Sequence, residues 1–145
     1  MSESISLKVF DISASALAAE RTRLAVISQN IANADVTKRG ANGEPYRRQR
    51  VNFRSVLADE VKSGRSGGLP VGAVRVEIDT VPGQLEGTSN PGHRDADENG
   101  IVLKPNVNVI EEMVEMVDAS RTYEANLSAL RAWKQMLART LEMTR

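Results

Sequence analysis

The placement of glycine and proline along the chain is the feature that most constrains its fold. All ten glycines lie between residues 40 and 100, and all five prolines lie between residues 45 and 105 of the 145-residue chain. Both residue types interrupt helices, glycine through its conformational freedom and proline through its missing N–H. The first 39 and the last 40 residues contain neither. The sequence therefore predicts a long helix at each end and a turn-rich segment between them.

Three segments follow from this pattern. They are an N-terminal helical segment (1–38), a Gly/Pro-rich β and loop segment (39–106) and a long C-terminal helix (107–145). We expect a mainly α fold with a small β and loop-rich middle. The terminal helices are predicted to pack as an antiparallel, coiled-coil-like pair that forms one core domain. Aromatic residues make up only 3% of the chain, so its core must be mainly aliphatic.

The N-terminal segment has apolar residues on one predicted helix face. Four of them are spaced by seven residues: Phe10, Leu17, Leu24 and Ile31. Three more lie three or four residues from these on the same face: Ala14, Ile27 and Ala34. Asp11 or Ser13 would be the N-cap. The prediction is a helix over residues 11–34, about 36 Å long.

The C-terminal segment has a similar stripe, spaced by threes, fours and sevens: Met113, Val117, Ser120, Leu127, Leu130, Leu137 and Leu141. Asn108, followed three residues later by Glu111, fits a capping box with Asn in place of Ser or Thr. Acidic residues crowd the front of the segment and basic residues its rear, an order that complements the helix dipole. A helix over residues 109–143 would be about 52 Å long, roughly 16 Å longer than the first. Two helices alone leave both stripes partly covered, so the central segment or neighbouring copies must cover the remainder.

The central segment contains three short runs with strand character. Residues 74–78 alternate apolar and polar side chains, which is typical of a strand with one buried face. A second candidate strand ends with Val51 and Phe53, and residues 101–103 form a short apolar run before Pro105. Residues 62–68 are predicted to be a loop.

Composition argues against most catalytic and electrostatic functions. The chain has no cysteine, and 19 basic residues balance 19 acidic ones, so no net positive field favours nucleic acid or an anionic membrane. The single histidine, His93, lies near Asp95 and Asp97, but a Pro/Gly-framed turn explains this cluster better than a metal site. A hydrolase that uses His93 with Asp95 or Asp97 is a distant alternative. We expect no enzymatic activity, no metal and no cofactor.

Two polar clusters have alternative interpretations. The arginine patch (Arg47, Arg48 and Arg50) lies between Tyr46 and Phe53 and could contact single-stranded nucleic acid or a protein. It is better explained as a solvated strand face, or as a partner for the acidic front of the C-terminal helix. Residues 28–34 (Ser-Gln-Asn-Ile-Ala-Asn-Ala) contain asparagines that suit a helix C-terminus with Asn33 as its cap, or a packing or recognition role.

Several segments together resemble the rod proteins of the bacterial flagellar basal body, and most closely the C-type proximal-rod proteins. The Asn-Ile-Ala-Asn core at 30–33 is similar to a signature shared by rod and hook proteins. More specific matches are the runs at 43–48, 91–93, 95–100, 104–108, 112–114 and 119–126. The residues that carry the resemblance are Asn30, Ile31, Ala32, Asn33, Pro45, Tyr46, Pro91, Gly92, His93, Pro105, Asn106, Tyr123 and Asn126. Arg94 and Ile101 depart from the family's usual Pro and Tyr.

The resemblance implies a non-catalytic subunit of the proximal rod, the periplasmic drive shaft that transmits torque. Such subunits are exported by the flagellar type III apparatus without a cleaved signal and assemble helically. The implied partners are other proximal-rod and distal-rod subunits, membrane-ring components and export-gate components, with no nucleic acid and no direct membrane span.

We expect assembly to supply the missing cover of the terminal helices, so that folding and assembly are coupled. The packing would fall mainly on Leu17, Leu24, Ile31, Met113, Val117, Leu127 and Leu130. Polar contacts of three asparagines would fix the register of this packing: Asn30, Asn33 and Asn126. The alternative function is a soluble nucleic-acid or protein-binding module that uses the arginine patch.

Overall fold

The chain begins and ends with a long helix, and four short strands and one short helix lie between them in sequence. The computed structural model describes residues 2–37 and 44–143, so Gly43 and the outermost residues of the predicted terminal segments lie outside the described residues. The elements are α1 (Ser2–Ala32), β1 (Gln49–Ser55), α2 (Ala58–Lys62), β2 (Val74–Thr80), β3 (Glu86–Ser89), β4 (Ile101–Lys104) and α3 (Val109–Met143). The fold is therefore helix-rich with a small sheet region in its middle, as predicted. α2 was not predicted from the sequence.

The predicted start of α1 was wrong, whereas the predicted start of α3 at Val109 was correct. α1 has 31 residues and begins at Ser2, nine residues before Asp11. Ser13 is not a cap, because its Oγ donates to the carbonyl oxygen of Val9 inside the helix at 2.9 Å. α3 has 35 residues, so the two helices differ in length by about 6 Å rather than 16 Å.

The cap of α3 has the predicted residues with a different hydrogen-bond pattern. Asn108 Oδ1 accepts from the backbone N–H of Ile110 at 3.0 Å, as an N-cap side chain does. Glu111 does not reach the cap backbone. Its Oε1 accepts from the Asn108 side-chain amide at 3.2 Å. The Asn108 side chain therefore supplies the N-cap half of the capping box and also binds the Glu111 carboxylate.

The chain divides into two compact units, each assembled from segments distant in sequence. Unit 1 comprises Met1–Thr22, Asn52–Glu77 and Asp118–Arg145, and unit 2 comprises Arg23–Val51 and Ile78–Val117. Strands β1 and β2 form one two-stranded sheet, and β3 and β4 form another. The second sheet is an antiparallel hairpin in which Glu86 pairs with Lys104 and Ser89 with Ile101.

In unit 1, a buried serine joins α1 to β2. Ser15 Oγ accepts from the backbone N–H of Val74 at 3.0 Å and donates to the carbonyl oxygen of Ile12 at 2.6 Å. Val56 and Ala73 are fully buried beside each other, and the Val56 N–H donates to the Ala73 carbonyl at 2.9 Å. These contacts fix the central segment of unit 1 against the helix that precedes it.

The buried side of α1 is displaced from the apolar stripe read in the sequence. Ile27 and Ala34 are buried, but Leu17, Leu24 and Ile31 are only half-buried, and Phe10 and Ala14 are exposed. The buried positions that the stripe omitted include three polar residues and two apolar ones: Ser15, Glu20, Asn30, Ala19 and Val26. The stripe counted apolar side chains only, whereas polar side chains also occupy part of the buried side of α1.

Glu20, one of these buried polar residues, lies in unit 1. Only 7% of the residue is exposed, and its Oε2 has no hydrogen-bond partner among the described residues. An unpartnered buried polar atom costs about 1–3 kcal/mol. We therefore expect Glu20→Met to raise the free energy of unfolding by about 1 kcal/mol or more, measured by urea denaturation. The same change at the exposed Glu124 is the control and should alter stability by no more than about 0.5 kcal/mol. A destabilised Glu20→Met variant would contradict the expectation.

Candidate functional site

A buried polar network in unit 2 is centred on Asn30, in the last turn of α1. The residue is 1% exposed, and its side chain makes four hydrogen bonds. Its Nδ2 donates to the Gln49 carbonyl at 2.8 Å and to Glu112 Oε2 at 2.9 Å. Its Oδ1 accepts from the Tyr46 hydroxyl at 2.7 Å and from the Gln49 N–H at 3.0 Å. Both amide protons and both lone pairs are therefore used.

Arg48 and Glu112 add an ion pair to this network. The Glu112 side chain is 1% exposed, and its Oε1 accepts from Arg48 Nε at 2.6 Å. Arg48 Nη2 also donates to Glu115 Oε1 at 2.8 Å. Burial lowers the pKa of Arg48, but the hydrogen bonds and charges of Glu112 and Glu115 outweigh it, so the pKa is raised overall. Arg48 stays charged and neutralises a carboxylate that would otherwise be costly to bury.

The same contacts decide between the interpretations of the arginine patch. Arg48 is the partner of the acidic front of α3, as one interpretation predicted. Arg47 pairs with Glu44 at 3.0 Å and donates from Nη1 to the Gly83 carbonyl at 3.0 Å. Arg50 is exposed. Two of the three arginines are therefore engaged within the chain, which does not favour the nucleic-acid alternative.

Asn106 connects Arg48, the residue before β1, to the part of the chain that precedes β3. Its Oδ1 accepts from the Arg48 N–H at 2.9 Å, and its Nδ2 donates to the Val81 carbonyl at 3.3 Å. The Val81 N–H in turn donates to the Arg48 carbonyl at 2.8 Å. A Cβ at Gly83 would lie 2.9 Å from Asn106 Nδ2, closer than side chains tolerate. Glycine at position 83 therefore leaves room for the Asn106 amide.

Tyr46 is the titratable hydroxyl of the network. Burial, and secondarily the charge of Glu112, raises the pKa of Tyr46 above its ordinary value of about 10. The native state therefore favours the neutral phenol. The stability that this phenol contributes is complete below pH 10 and is lost as the pH rises through the raised value.

Replacing Tyr46 by phenylalanine should therefore have an effect that depends on pH. At pH 8 we expect Tyr46→Phe to lower the free energy of unfolding by about 1 kcal/mol, because the hydrogen bond to Asn30 Oδ1 is lost. Above pH 10 the difference from wild type should narrow, since the wild-type phenol ionises. Urea unfolding of both proteins at pH 8 and at high pH measures this difference. A difference that stays constant would mean that the Tyr46 phenol does not contribute through its protonated form.

The residues around His93 form the loop of the β3–β4 hairpin. His93 Nδ1 accepts from the Asp95 N–H at 3.1 Å, and Asp97 Oδ1 accepts from the backbone N–H groups of Asn99 and Ile101 at 2.9 and 2.8 Å. Asp95 Oδ2 accepts from the Thr37 hydroxyl at 2.9 Å. This bond, with the nearby charges of Arg94 and His93, holds the pKa of Asp95 below its usual range despite partial desolvation. The polar groups thus fix the turn.

The loop also explains one of its glycines and bears on metal binding. Gly100 has φ +75°, and a Cβ there would lie 3.0 Å from Pro91 Cγ. Among residues 2–37 and 44–143, no three His, Asp or Glu side chains are grouped so as to hold a metal ion. Within those residues, no helix has the length and apolar character to cross a membrane.

The structure brings together some of the residues singled out in the sequence. Asn30, Tyr46 and Asn106 lie in the network, whereas Tyr123 and Asn126 belong to the α3 segment of unit 1. Gln49 and Glu112 were not predicted as site residues. The sequence placed Glu112 among the acidic residues at the start of α3. Nothing in the sequence indicated that its side chain would be buried.

The predicted packing residues fall into two groups by exposure. Met113 and Val117 are 58% and 50% exposed. The half-buried residues are Leu17, Leu24, Ile31, Leu127 and Leu130.

Comparison with known proteins gives one consistent result. Residues 10–39 match the family described as "Flagella basal body rod protein", and residues 98–143 match "Flagellar basal body rod FlgEFG protein C-terminal". The chain is 42% identical to the flagellar basal-body rod protein FlgC of Salmonella typhimurium, over 94% of this chain and 96% of that protein. It is 38% identical to FlgC of Bacillus subtilis, over 92% and 94% of the two chains. It is 37% identical to FlgC of Borreliella burgdorferi, over 90% and 92%.

Proposed function

Because the chain belongs to the family of flagellar basal-body rod proteins, we propose that it is a structural subunit of the rod in the bacterial basal body. The observation that carries the proposal is the similarity to FlgC proteins of distant bacteria over at least nine-tenths of both chains. The site agrees with a structural role. Its polar groups hydrogen-bond to one another and connect α1, the start of β1 and α3. This arrangement suits a network that stabilises packing rather than a catalytic site.

The finer proposal is a non-enzymatic subunit of the proximal rod, the part of the periplasmic drive shaft nearest the membrane ring. Other proximal-rod and distal-rod subunits, membrane-ring components and export-gate components would be its neighbours. Type III export as an unfolded chain would precede assembly. The relatives' name supports the rod assignment, and the exposed apolar residues on α3 supply surface for neighbours.

The proposed mechanism of assembly is docking of the terminal helices against neighbouring subunits as an axial, coiled-coil-like core. Two observations support it. Leu17, Leu24 and Ile31 on α1 are covered only in part, as are Leu127 and Leu130 on α3. Met113 is 58% exposed and Val117 is 50% exposed. Docking would remove this apolar surface from water, at about 25 cal/mol for each Å².

A substitution at Leu127 tests this role. We expect Leu127→Asp, expressed in the source bacterium in place of the wild-type gene, to abolish incorporation into rods, because a charge cannot be buried between helices without a partner. Immunoblots of purified basal bodies and swimming assays measure the effect. Ala129→Asp, an exposed position two residues away, is the control and should assemble normally. Intact rods and normal swimming in the Leu127→Asp strain would contradict the mechanism.

A further inference from the structure

The loop of the β3–β4 hairpin in unit 2 ends with an asparagine followed by a glycine, Asn99 and Gly100. Asparagine is one of the chemically labile residues of proteins. It is most labile before glycine, because no side chain then hinders attack of the glycine nitrogen on the asparagine side-chain amide. Asn99 is exposed to water, whereas Gly100 is buried. The pair therefore has the residue types of a deamidation site, with the attacking nitrogen on the buried residue.

Several contacts fix the Gly100 nitrogen in the folded hairpin. The Gly100 N–H donates to the Asp97 carbonyl at 2.9 Å, and the Gly100 carbonyl accepts from the Asn90 N–H at 2.8 Å. The φ of Gly100 is +75°, a value that glycine adopts readily and other residues rarely do. A Cβ at this position would lie 3.0 Å from Pro91 Cγ, so the backbone packs closely on the proline ring. Both hydrogen bonds and packing therefore hold this residue in place.

Asp97 fixes the peptide groups on either side of the reactive pair. Its Oδ1 accepts from the backbone N–H groups of Asn99 at 2.9 Å and Ile101 at 2.8 Å. Its own N–H donates to the Ile101 carbonyl at 2.9 Å. Together with its carbonyl, which binds Gly100, Asp97 accepts hydrogen bonds from three consecutive N–H groups. The backbone of residues 99–101 therefore cannot change conformation without breaking several hydrogen bonds at once.

We propose that Asn99 is a deamidation site that the folded hairpin closes and that unfolding of the hairpin opens. In the reaction the Gly100 nitrogen bonds to Asn99 Cγ and the Cγ–Nδ2 bond breaks. Nδ2 leaves as ammonia, and solvent carries to it the proton that the Gly100 nitrogen gives up. Water then opens the cyclic imide at either carbonyl, which yields aspartate or isoaspartate. No electrons are transferred, and water is the only co-reactant. The inference goes beyond the proposed function and does not depend on it.

The contacts of the loop explain why folding suppresses the first step. A backbone nitrogen attacks after it has lost its proton, and the Gly100 proton is held by the Asp97 carbonyl. The nitrogen must also turn toward Asn99 Cγ, which rotates a peptide plane that Asp97 and Pro91 hold. The reaction therefore proceeds from molecules in which the hairpin is open. Its rate follows the fraction of such molecules.

The isoaspartate product would make the change permanent. Its backbone runs through the former side chain and is longer by a methylene group, so Gly100 and Ile101 shift relative to Asp97. The loop that brings Ile101 opposite Ser89 then no longer has the right length. A chain that stays unfolded therefore loses the ability to form this hairpin, whereas a folded chain keeps it. Deamidation at Asn99 would mark the molecules that have been unfolded for long.

Peptide mapping by mass spectrometry tests the proposal on the full-length chain. The chain is incubated at pH 8 with and without guanidinium chloride, and aspartate and isoaspartate at position 99 are quantified over time. We expect deamidation at Asn99 to be about tenfold or more slower without denaturant. Asn42 precedes glycine in the only other Asn-Gly pair of the sequence, and in denaturant the two sites should react at similar rates. Equal rates at Asn99 under both conditions would overturn the inference.

Substitutions at Asp97 test the role of the hydrogen bonds. Asp97→Ala removes the Oδ1 acceptor and should raise the rate at Asn99 about tenfold or more in buffer, with no change in denaturant. Asp97→Asn keeps an acceptor oxygen and should stay close to the wild-type rate. Glu98→Ala is the matched control, because it removes an exposed carboxylate from the same loop, and it should react like wild type. An Asp97→Ala chain that is folded by circular dichroism yet deamidates as slowly as wild type would contradict the proposal.

The consequence of the reaction is tested on its product. An Asn42→Gln chain is deamidated in denaturant so that position 99 is the Asn-Gly site that reacts, and reacted and unreacted chains are separated and returned to buffer. The N–H groups of Asn90 and Ile101 are hydrogen-bonded in the native loop. Their amide hydrogen exchange should be slow in the unreacted chain and fast in the isoaspartate chain. Equal protection in the two chains would show that the hairpin tolerates isoaspartate and would overturn this consequence.

Discussion

Replacing Glu112 by glutamine is expected to lower the free energy of unfolding by about 3 kcal/mol. The carboxylate is 1% exposed and accepts from Arg48 Nε at 2.6 Å and from Asn30 Nδ2 at 2.9 Å. Glutamine keeps the size but carries no charge and offers only one acceptor oxygen. Arg48 would then be a largely buried cation with only Glu115 as its partner. Removing one partner of a buried ion pair typically costs about 3–5 kcal/mol. The partial exposure of Arg48 puts the expected loss at the lower end.

Glu115→Gln is the matched control for this substitution. The same type of side chain binds the same arginine at 2.8 Å, but its side chain is 39% exposed. Solvent-exposed ion pairs contribute about 0–1 kcal/mol, so the loss should be below about 1 kcal/mol. Chemical denaturation of both variants at neutral pH measures the two values. Equal losses at positions 112 and 115 would mean that burial does not govern the strength of this ion pair.

The second large effect is expected for Asn30→Asp, which should lower the free energy of unfolding at pH 7 by about 3 kcal/mol. The change is isosteric, but it replaces the Nδ2 donor with an acceptor 2.9 Å from Glu112 Oε2. The Gln49 carbonyl also loses its donor. Two carboxylate oxygens would then face each other in a buried site, and unpaired buried groups of this kind account for the largest effects of single substitutions.

The second asparagine of the same motif provides the comparison. Asn33, the residue after α1, donates from Nδ2 to the Gln29 carbonyl at 2.7 Å in an exposed hydrogen bond. Asn33→Asp should therefore cost less than about 1 kcal/mol. The deficit of Asn30→Asp should also shrink as the pH falls toward 4, where the introduced carboxyl becomes protonated. Thermal denaturation of both variants at pH 7 and pH 4 tests the two statements. Equal losses for Asn30→Asp and Asn33→Asp, or no dependence on pH, would contradict the assignment of Asn30 as the centre of the network.

The sequence was sufficient for the start of α3 because local chemistry sets it. Asn108 supplies a cap, and no glycine or proline follows it. The start of α1 was missed for the opposite reason. Asp11 and Ser13 are good cap residues, but nothing before them breaks a helix, and Ser13 satisfies its hydroxyl within the helix. A residue's preference for a cap does not show that the chain uses it as one.

The site was harder to predict because its members are joined by contacts between distant segments. The motif marked Asn30, and charge order suggested that the arginine patch meets the front of α3. Neither indicated that Glu112 would be buried while Met113 beside it is exposed. Apolar periodicity assigns the buried side of a helix by hydrophobicity. Here Arg48 and Asn30 make an acidic position the buried one, which a count of apolar side chains cannot detect.

The interleaved order of the segments in the two units has a consequence for when the chain folds. Unit 2 requires residues 23–51 together with 78–117, and unit 1 requires segments from the beginning, middle and end of the chain. The bond from Asn30 to Glu112 closes a loop of 82 residues, and such a loop can close only when both ends are in the same compartment. A chain threaded through a narrow channel from its N-terminus therefore completes neither unit before the start of α3 has emerged. Segment order alone therefore delays the completion of both units until at least Glu112 has joined the segments before it.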